Sequence, residues 1–324
     1  MSATQFGRKA TLVVSRPEQK GNNPSAFVAG STLDLSAFRF TFKTEQQDVE
    51  SPNNCRIRVY NLSEETSQAL LAYEYSQVVL QAGYNDAFGV IFSGTLKQFR
   101  RGRENATTTY LDLLAADGDT AYNYATISRT LAAGSTPTDR INAAITAMGK
   151  YGVTAGNLQI PPTGGVLPRG KVLFGMPRAL LRQEVAQLGA TWNITNGQVT
   201  VTPLAGYLPD EVVVLDALNG MIGLPEQTNE GIRVRRLLDP RIVVGGRVKI
   251  DNKSINATIQ QNPRAAPTAY NLRAGGPLRL ATVTNDGIYR VFVAEHSGDT
   301  RGSEWYTDLV CLAVDPSTKK VVAQ

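Results

Sequence analysis

The sole histidine of the sequence, His296, lies in a polar stretch that also holds the residue types of a hydrolytic triad. Asp299, Arg301 and Ser303 follow it closely. A serine nucleophile, a histidine base and an aspartate that orients the base would together catalyse acyl transfer. Residues so close together around one turn rarely converge in that geometry. The sequence therefore favours a structural or interface role for His296 over a catalytic one.

Other patterns that would indicate an enzyme are missing from the sequence. There is no G-x-x-x-x-G-K-[ST], no G-x-G-x-x-G after a predicted strand and no nucleophile elbow. One histidine and two distant cysteines, Cys55 and Cys311, do not make a usual zinc site. A glycosidase-like pair of carboxylates stays open, because distance along the chain does not fix distance in space. Nothing marks one such pair, so we predict no enzymatic activity, no cofactor and no metal.

Two groups of arginines could contact an acidic partner. The first group is Arg100, Arg101 and Arg103, and the second is Arg233, Arg235 and Arg236. A guanidinium pairs well with a carboxylate of a partner subunit, whereas the alternative is that these are solvated strand ends. Phosphate binding is disfavoured, because no aromatic stripe accompanies the arginines. The candidate partner-interface residues are Arg100, Arg101, Arg103, His296, Asp299 and Arg301.

Two long β-hairpins are predicted to position these residues. Residues 287–315 form two alternating arms around a Gly/Asp/Ser-rich turn that starts at His296, with Tyr289, Val291 and Val293 on one face. Residues 89–117 repeat this pattern around a polar tip at residues 100–105. Apolar residues on both faces of the arms favour a sheet that is packed on two sides.

The two hairpins are also preceded by similar strands. An Ile-Arg-Val sequence starts at Ile57 before the first hairpin and at Ile232 before the second, and each returning arm ends in aspartate. This echo predicts one duplicated β unit, and chance similarity between alternating strands is the alternative. Further strands are predicted at residues 10–15, 38–43, 55–60, 78–82, 211–215 and 242–250. Residues 44–54 form a long polar connection that we expect to reach a neighbour.

Residues 118–205 have a different character. Thr136 and Pro137 predict the start of one helix and Pro177 that of a second, while Gly149 and Gly189 predict their ends. Asn196 and Gly197 predict a tight hairpin. The expected organisation is a β domain at 1–117, a small α+β insertion at 118–205 and a second β domain at 206–324. Within the last, residues 252–286 form a polar excursion with little periodicity.

Composition sets broad limits on the protein. The chain has 324 residues, 42% hydrophobic and 19% charged, with a net charge of +5 spread along its length. These values predict a globular protein of two or three domains. The two distant cysteines predict buried free thiols in a reducing compartment. The first residues lack a signal peptide, and no apolar run has the length of a membrane span.

Several segments resemble the baseplate hub proteins of contractile-tailed bacteriophages. They are GMIGLPEQTNEGIRVR from Gly220, LDPRIVVGGRVKID from Leu238, VAEHSGDTRGSEWY from Val293, IRVYNLS from Ile57 and IFSGTL from Ile91. The resemblance covers most of the chain and is weakest over residues 1–35 and 252–285. These are structural signatures, so the resemblance bears on fold and assembly more than on any catalytic site.

The resemblance implies a mainly β fold in which two tail-tube-like β-barrel domains flank the α+β insertion. It also implies a homotrimer whose six β domains adapt a sixfold tail tube to a threefold central spike. Partners would be the spike, the tube or its initiator and the baseplate wedge, with tape measure and DNA passing through the channel. Such a protein assembles in the host cytoplasm, resides in the virion tail and contacts no membrane.

Three other functions stay open at this point. The same fold could serve a tailocin or a type VI-like injection machine, which gene neighbours such as capsid and terminase would separate. A cell-wall hydrolase would clear peptidoglycan in a zymogram. A β-barrel that binds single-stranded nucleic acid would give a salt-dependent gel shift.

Overall fold

The computed structural model describes residues 7–19, 27–71, 77–162, 165–204, 206–228, 231–251, 287–315 and 320–321. The chain is mainly β with an α+β segment in its middle. The predicted fold class is confirmed in this respect. The excursion at 252–286 lies outside the described residues.

The first β unit comprises seven strands and one helix. They are β1 (Arg8–Gln19), β2 (Phe27–Asp34), β3 (Phe40–Gln47), β4 (Asn54–Tyr60), α1 (Glu64–Leu71), β5 (Gln77–Tyr84), β6 (Ala87–Arg103) and β7 (Thr109–Ala116). Their inward residues, among them Phe40, Ile57 and Leu113, form one hydrophobic core. The side chain of Ser63 caps α1, because its Oγ accepts a hydrogen bond of 3.1 Å from the N–H of Thr66.

The middle segment contains three helices and five strands. They are α2 (Asp119–Tyr124), β8 (Ile127–Leu131), α3 (Pro137–Met148), β9 (Thr154–Leu158), β10 (Lys171–Gly175), α4 (Pro177–Gln187), β11 (Ala190–Thr195) and β12 (Gln198–Pro203). Thr136 and Asp139 form a capping box at the start of α3. The predicted Asn196-Gly197 turn joins β11 to β12, and both residues have positive φ. This segment has a separate hydrophobic core.

The second β unit comprises the remaining strands. They are β13 (Val213–Leu215), β14 (Met221–Gln227), β15 (Ile232–Leu237), β16 (Arg247–Ile250), β17 (Ile288–Asp299), β18 (Trp305–Asp315) and β19 (Lys320–Val321). The strand predicted at 211–215 begins only at Val213. The strand predicted at 242–250 begins only at Arg247, because a loop with turns at residues 240–241 and 244–245 precedes it. Tyr289, Val291 and Leu309 belong to the core of this unit.

The two β units have the same strand order. In the first the order is β3-β4-β7-β6-β5-β1, and in the second it is β14-β15-β18-β17-β16-β13. Arg58 lies opposite Asp112 in the first unit, as Arg235 lies opposite Asp308 in the second. The one difference in direction is that β13 runs parallel to β16, whereas β1 is antiparallel to β5. The predicted echo therefore extends to topology and register, although the register makes Arg58 equivalent to Arg235, whereas the two Ile-Arg-Val sequences would align it with Arg233.

Both long hairpins contain a β-bulge at the same position. The register shifts between Leu96 and Gln98 in the first hairpin and between Val291 and Val293 in the second. A bulge adds one residue to a strand and moves the following side chains to the other face. Uniform alternation, which placed Val293 with Tyr289 and Val291, was therefore the wrong interpretation. Val293 is partly exposed, whereas Ala294 is buried.

One continuous sheet of 14 strands joins the two β units. The carboxyl half of β17 pairs antiparallel with β3, from Val293 opposite Gln47 to Asp299 opposite Thr41. The indole of Trp305 is 1% exposed and packs edge-on against Phe42 at 5.5 Å between ring centroids, inside the core of the first unit. The join is therefore both a strand pairing and an apolar contact.

A buried ion pair fixes the middle segment to this join. Asp48, which follows β3, pairs with Arg290 of β17, and both side chains are almost fully buried. Asp48 also accepts hydrogen bonds from Thr191 Oγ1 and Asn193 Nδ2 of β11, each at 3.2 Å. The guanidinium of Arg290 donates to the carbonyl of Pro203 at 2.9 Å. The connection predicted at 44–54 is shorter in the structure, at residues 48–53, and it contacts neighbours within its own chain.

We expect Trp305→Asp or Phe92→Asp to impair folding far more than Arg101→Ala. Both aromatic side chains are 1% exposed, so either aspartate would be an unpaired charge in a core, at a cost of at least about 4 kcal/mol. Urea unfolding followed by circular dichroism measures the effect. Unfolding midpoints that fall equally in all three variants would show that the two aromatic side chains do not stabilise the core.

We further expect Asp48→Asn to lower the stability by about 3–5 kcal/mol, because it leaves the charge of Arg290 buried without its partner. The matched control is Glu50→Gln, which breaks the pair between Glu50 and Arg182 at the surface. That control should shift the urea midpoint little. Equal shifts in the two variants would show that the buried pair has no special role.

Candidate partner interfaces

The first arginine group lies on a strand rather than in a turn. Strand β6 continues to Arg103, and the hairpin turns only at residues 104–108. Arg100, Arg101 and Arg103 are all exposed. Arg101 pairs with Glu64 at the start of α1, with 2.6 Å between Nη1 and Oε1. Arg100 and Arg103 make no ion pair within the described ranges, so their guanidinium groups face solvent.

The second hairpin holds the other candidates, and most of them belong to the join within the chain. Strand β17 continues past His296 to Asp299. The carboxylate of Asp299 accepts hydrogen bonds from Arg39 at 2.7 and 3.3 Å and from the backbone N–H of Arg301 at 2.8 Å. Burial opposes the charge of Asp299, but these hydrogen bonds lower its pKa below the usual value. Arg301 is exposed.

The position of His296 corrects the expectation that it lies at a surface turn. Its side chain is 1% exposed, and Nδ1 lies 2.8 Å from the hydroxyl of Thr307. Its backbone N–H donates to Thr44 Oγ1 at 3.3 Å across the join. Burial lowers the pKa of the imidazole to about 4. A neutral, enclosed imidazole of this kind serves packing, and a partner or substrate would not reach it.

The second arginine group divides between the interior and the surface. Arg236 is 1% exposed and pairs with buried Asp239 at 2.9 Å, which corrects its assignment to a surface cluster. Arg233 and Arg235 are exposed on β15. They line a groove of about 540 Å³ across β14, β15, β18 and β17, together with Ile222, Leu224, Val293 and Val310. The groove therefore combines apolar and charged side chains on one face of the sheet.

The same three side chains recur on this face in both β units. Arg58 makes two hydrogen bonds to Asp112, at 2.6 and 3.0 Å, and its guanidinium lies 4.0 Å from the ring centroid of Tyr110. Arg235 makes the same two bonds to Asp308, at 2.6 and 3.0 Å, and lies 5.5 Å from Tyr306. Each carboxylate therefore neutralises an arginine across the strands. Sequence reasoning missed this set, although the repeated Arg-x-Arg and Tyr-x-Asp spacings carry its signal.

A metal-binding cluster does not appear in the described ranges. No group of three or more His, Cys, Asp or Glu there could hold a metal ion. Cys55 and Cys311 are buried free thiols, as predicted, and burial raises the pKa of Cys311 to about 12. No helix in the described part is long and apolar enough to cross a membrane.

Solved structures of tail proteins have a similar fold. The tail protein from Neisseria meningitidis MC58 has a TM-score of 0.55 at 10% identity, with 94% of this chain and 96% of that chain covered. The 43 kDa tail protein of prophage MuSo2 from Shewanella oneidensis has a TM-score of 0.56 at 9% identity, with 98% and 100% covered.

A third similar structure comes from a secretion system. It is the E. coli c3393 protein, described as a component of the type VI secretion system with structural similarity to the T4 bacteriophage tail proteins gp27 and gp5. Its TM-score is 0.55 at 8% identity, with 89% of this chain and 76% of that chain covered. No protein-family profile and no curated sequence matches the chain. The chain has the fold of phage tail proteins, and the resemblance found in the sequence is confirmed at the level of fold.

The buried imidazole predicts a pH effect on stability. The pKa of His296 is about 4 in the folded chain and about 6.5 when unfolded, so its contribution is present above pH 6.5 and is lost towards pH 4. The melting temperature of the wild type relative to His296→Gln should therefore be higher at pH 7 than at pH 5.

Asp117 provides a control of opposite sign for this measurement. Its Oδ1 accepts a hydrogen bond of 2.8 Å from Gly197 N–H, and burial raises the pKa of the carboxyl to about 7. The wild type relative to Asp117→Asn should gain stability as the pH falls from 7 to 5. A difference between wild type and His296→Gln that does not change with pH would refute the role assigned to the imidazole.

Proposed function

We propose that the protein is the structural hub of a contractile-tail baseplate, a homotrimer that adapts a sixfold tail tube to a threefold central spike. The observation that supports this most is the internal repeat, in which six strands recur in the same order. Three chains with two equivalent units each would present six similar sheets to a tube and three identical chains to a spike. A repeated unit is thus the simplest means of matching the two symmetries.

The fold supports this proposal independently of the repeat. Two bacterial tail proteins share it over nearly their whole length. In the hub the chain would comprise domains at 1–117, 118–205 and 206–324, with the middle domain held by the Asp48–Arg290 pair. The hub would contact the spike, the tube or its initiator and the wedge, and tape measure and DNA would pass through its centre. Its role would be geometric and non-enzymatic, and the enclosure of its one histidine argues against Ser/His/Asp catalysis.

A second candidate function is the same role in a type VI-like machine or a tailocin. The observation that favours it is the similar fold of the E. coli c3393 protein, a type VI secretion component. The two candidates share the trimeric hub and differ in what the tail delivers. Capsid and terminase genes beside the coding gene would favour the phage.

Size-exclusion chromatography with light scattering tests the hub directly. We expect the full chain to form a trimer, alone or when mixed with its spike protein. A closed ring would give one defined mass that does not grow with concentration, whereas open association would give a rising mass. A chain that stays a folded monomer under all these conditions would overturn the proposal.

A further inference from the structure

The join between the two β units within one chain provides a template for a contact between chains. Strand β17 pairs with β3 only through its carboxyl half, residues 293–299. The first residues of β17, from 288 to 290, pair with β16 instead. The join is thus an edge of the second unit added to an edge of the first. Because the two units share strand order and register, every strand of the join has a counterpart in the other unit.

The strands equivalent to β17 and β3 of the join are β6 in the first unit and β14 in the second. Strand β6 occupies the place of β17, and its carboxyl half, residues 98–103, corresponds to residues 293–298. Strand β5 pairs with β6 only up to Thr95, so beyond that residue no described strand lies on this side of β6. Strand β14 occupies the place of β3, and among the described strands it pairs only with β15. Both counterparts are therefore strand edges suited to pairing.

The charges on these two edges complement each other. Within the join, Lys43 of β3 forms an ion pair with Glu295 of β17 at 3.2 Å. The counterpart of Glu295 is Arg100, because Arg100 lies opposite Asp112 as Glu295 lies opposite Asp308. The counterpart of Lys43 is Glu226, because Glu226 lies opposite Arg233 as Lys43 lies opposite Arg56.

The two charged residues of that ion pair thus have counterparts of opposite sign at the two edges. Arg100 and Glu226 are both exposed, and neither forms an ion pair with another described residue. Strand β14 also exposes the apolar side chains of Ile222 and Leu224, by 39% and 61%. A partner that covers this edge would therefore supply both a positive charge and a strand.

We propose that this partner is a second copy of the chain. The carboxyl half of β6 in one chain pairs antiparallel with β14 of the next chain, and Arg100 of one faces Glu226 of the other. The contact is head-to-tail and repeats around the ring, so every chain offers one β6 edge and one β14 edge. This inference rests on the proposed trimeric hub and specifies how its subunits join.

A charge-swap cycle on the full-length chain tests the contact. The variants are Arg100→Glu, Glu226→Arg and the double variant R100E/E226R, and the matched control is Arg129→Glu, an exposed strand residue of the middle segment. Sedimentation velocity over a concentration series gives the association constant of each. Melting temperatures confirm that each variant is folded before its association is compared.

Each single reversal should weaken trimer formation at least about tenfold, because like charges then oppose each other at every contact of the ring. The double variant should recover association to within about threefold of the wild type. The control should match the wild type. A wild-type trimer that neither single variant weakens would overturn the edge pairing and leave the hub standing. A double variant that associates no better than the single variant with the lower association constant would also overturn the edge pairing and leave the hub standing. A wild type that does not associate either alone or with the spike protein would overturn both.

Discussion

The buried ion pair between Asp48 and Arg290 is the interaction on which the arrangement of the chain depends. Two charges in an interior are costly unless hydrogen bonds compensate them, and here hydroxyl, amide and carbonyl groups bind the pair, although Nε of Arg290 has no hydrogen-bond partner among the described residues. The partners come from the loop after β3, from β17 and from β11, so one site holds all three parts of the chain together. The amide of Asn53, which donates to the carbonyl of Ile194 at 2.8 Å, adds a second hydrogen bond between the same loop and the middle segment.

This constraint explains why the two β units continue into one sheet. With β3 and β17 held side by side, their edges satisfy each other's backbone groups, and Trp305 fills the core of the other unit. An exposed strand edge invites pairing with another chain, and the fold removes one such pair of edges internally. It leaves the equivalent pair, on β6 and β14, at opposite ends of the repeat. Because the two units are repeats, the pairing of β3 with β17 inside one chain indicates how β14 and β6 could pair between chains.

The exposed face of the sheet is charged, yet many of its charges are paired. Arg58 with Asp112, Arg235 with Asp308 and Lys43 with Glu295 form ion pairs across neighbouring strands. Paired groups of this kind leave little free charge to hold a phosphate backbone, in agreement with the spread of charge along the sequence. Arg100 and Arg103 make no ion pair among the described residues, and Arg100 is the one whose equivalent, Glu295, forms an ion pair across the join.

Short-range patterns in the sequence determined the hairpins, the helix starts at Thr136 and Pro177, the Asn196-Gly197 turn and the repeat, because each depends on residues close together in the chain. The same patterns identified the arginines of β6 as interface candidates. Only the tertiary structure revealed the bulges at Lys97 and Phe292. One extra residue changes which face of the sheet the following side chains occupy, but it leaves the composition of the strand unchanged. The tertiary structure also decided that His296 and Arg236 are buried, because polar residue types favour the surface unless distant partners satisfy them. The pairing of β3 with β17 joins residues about 250 positions apart, and no local pattern encodes which distant edge a strand will meet.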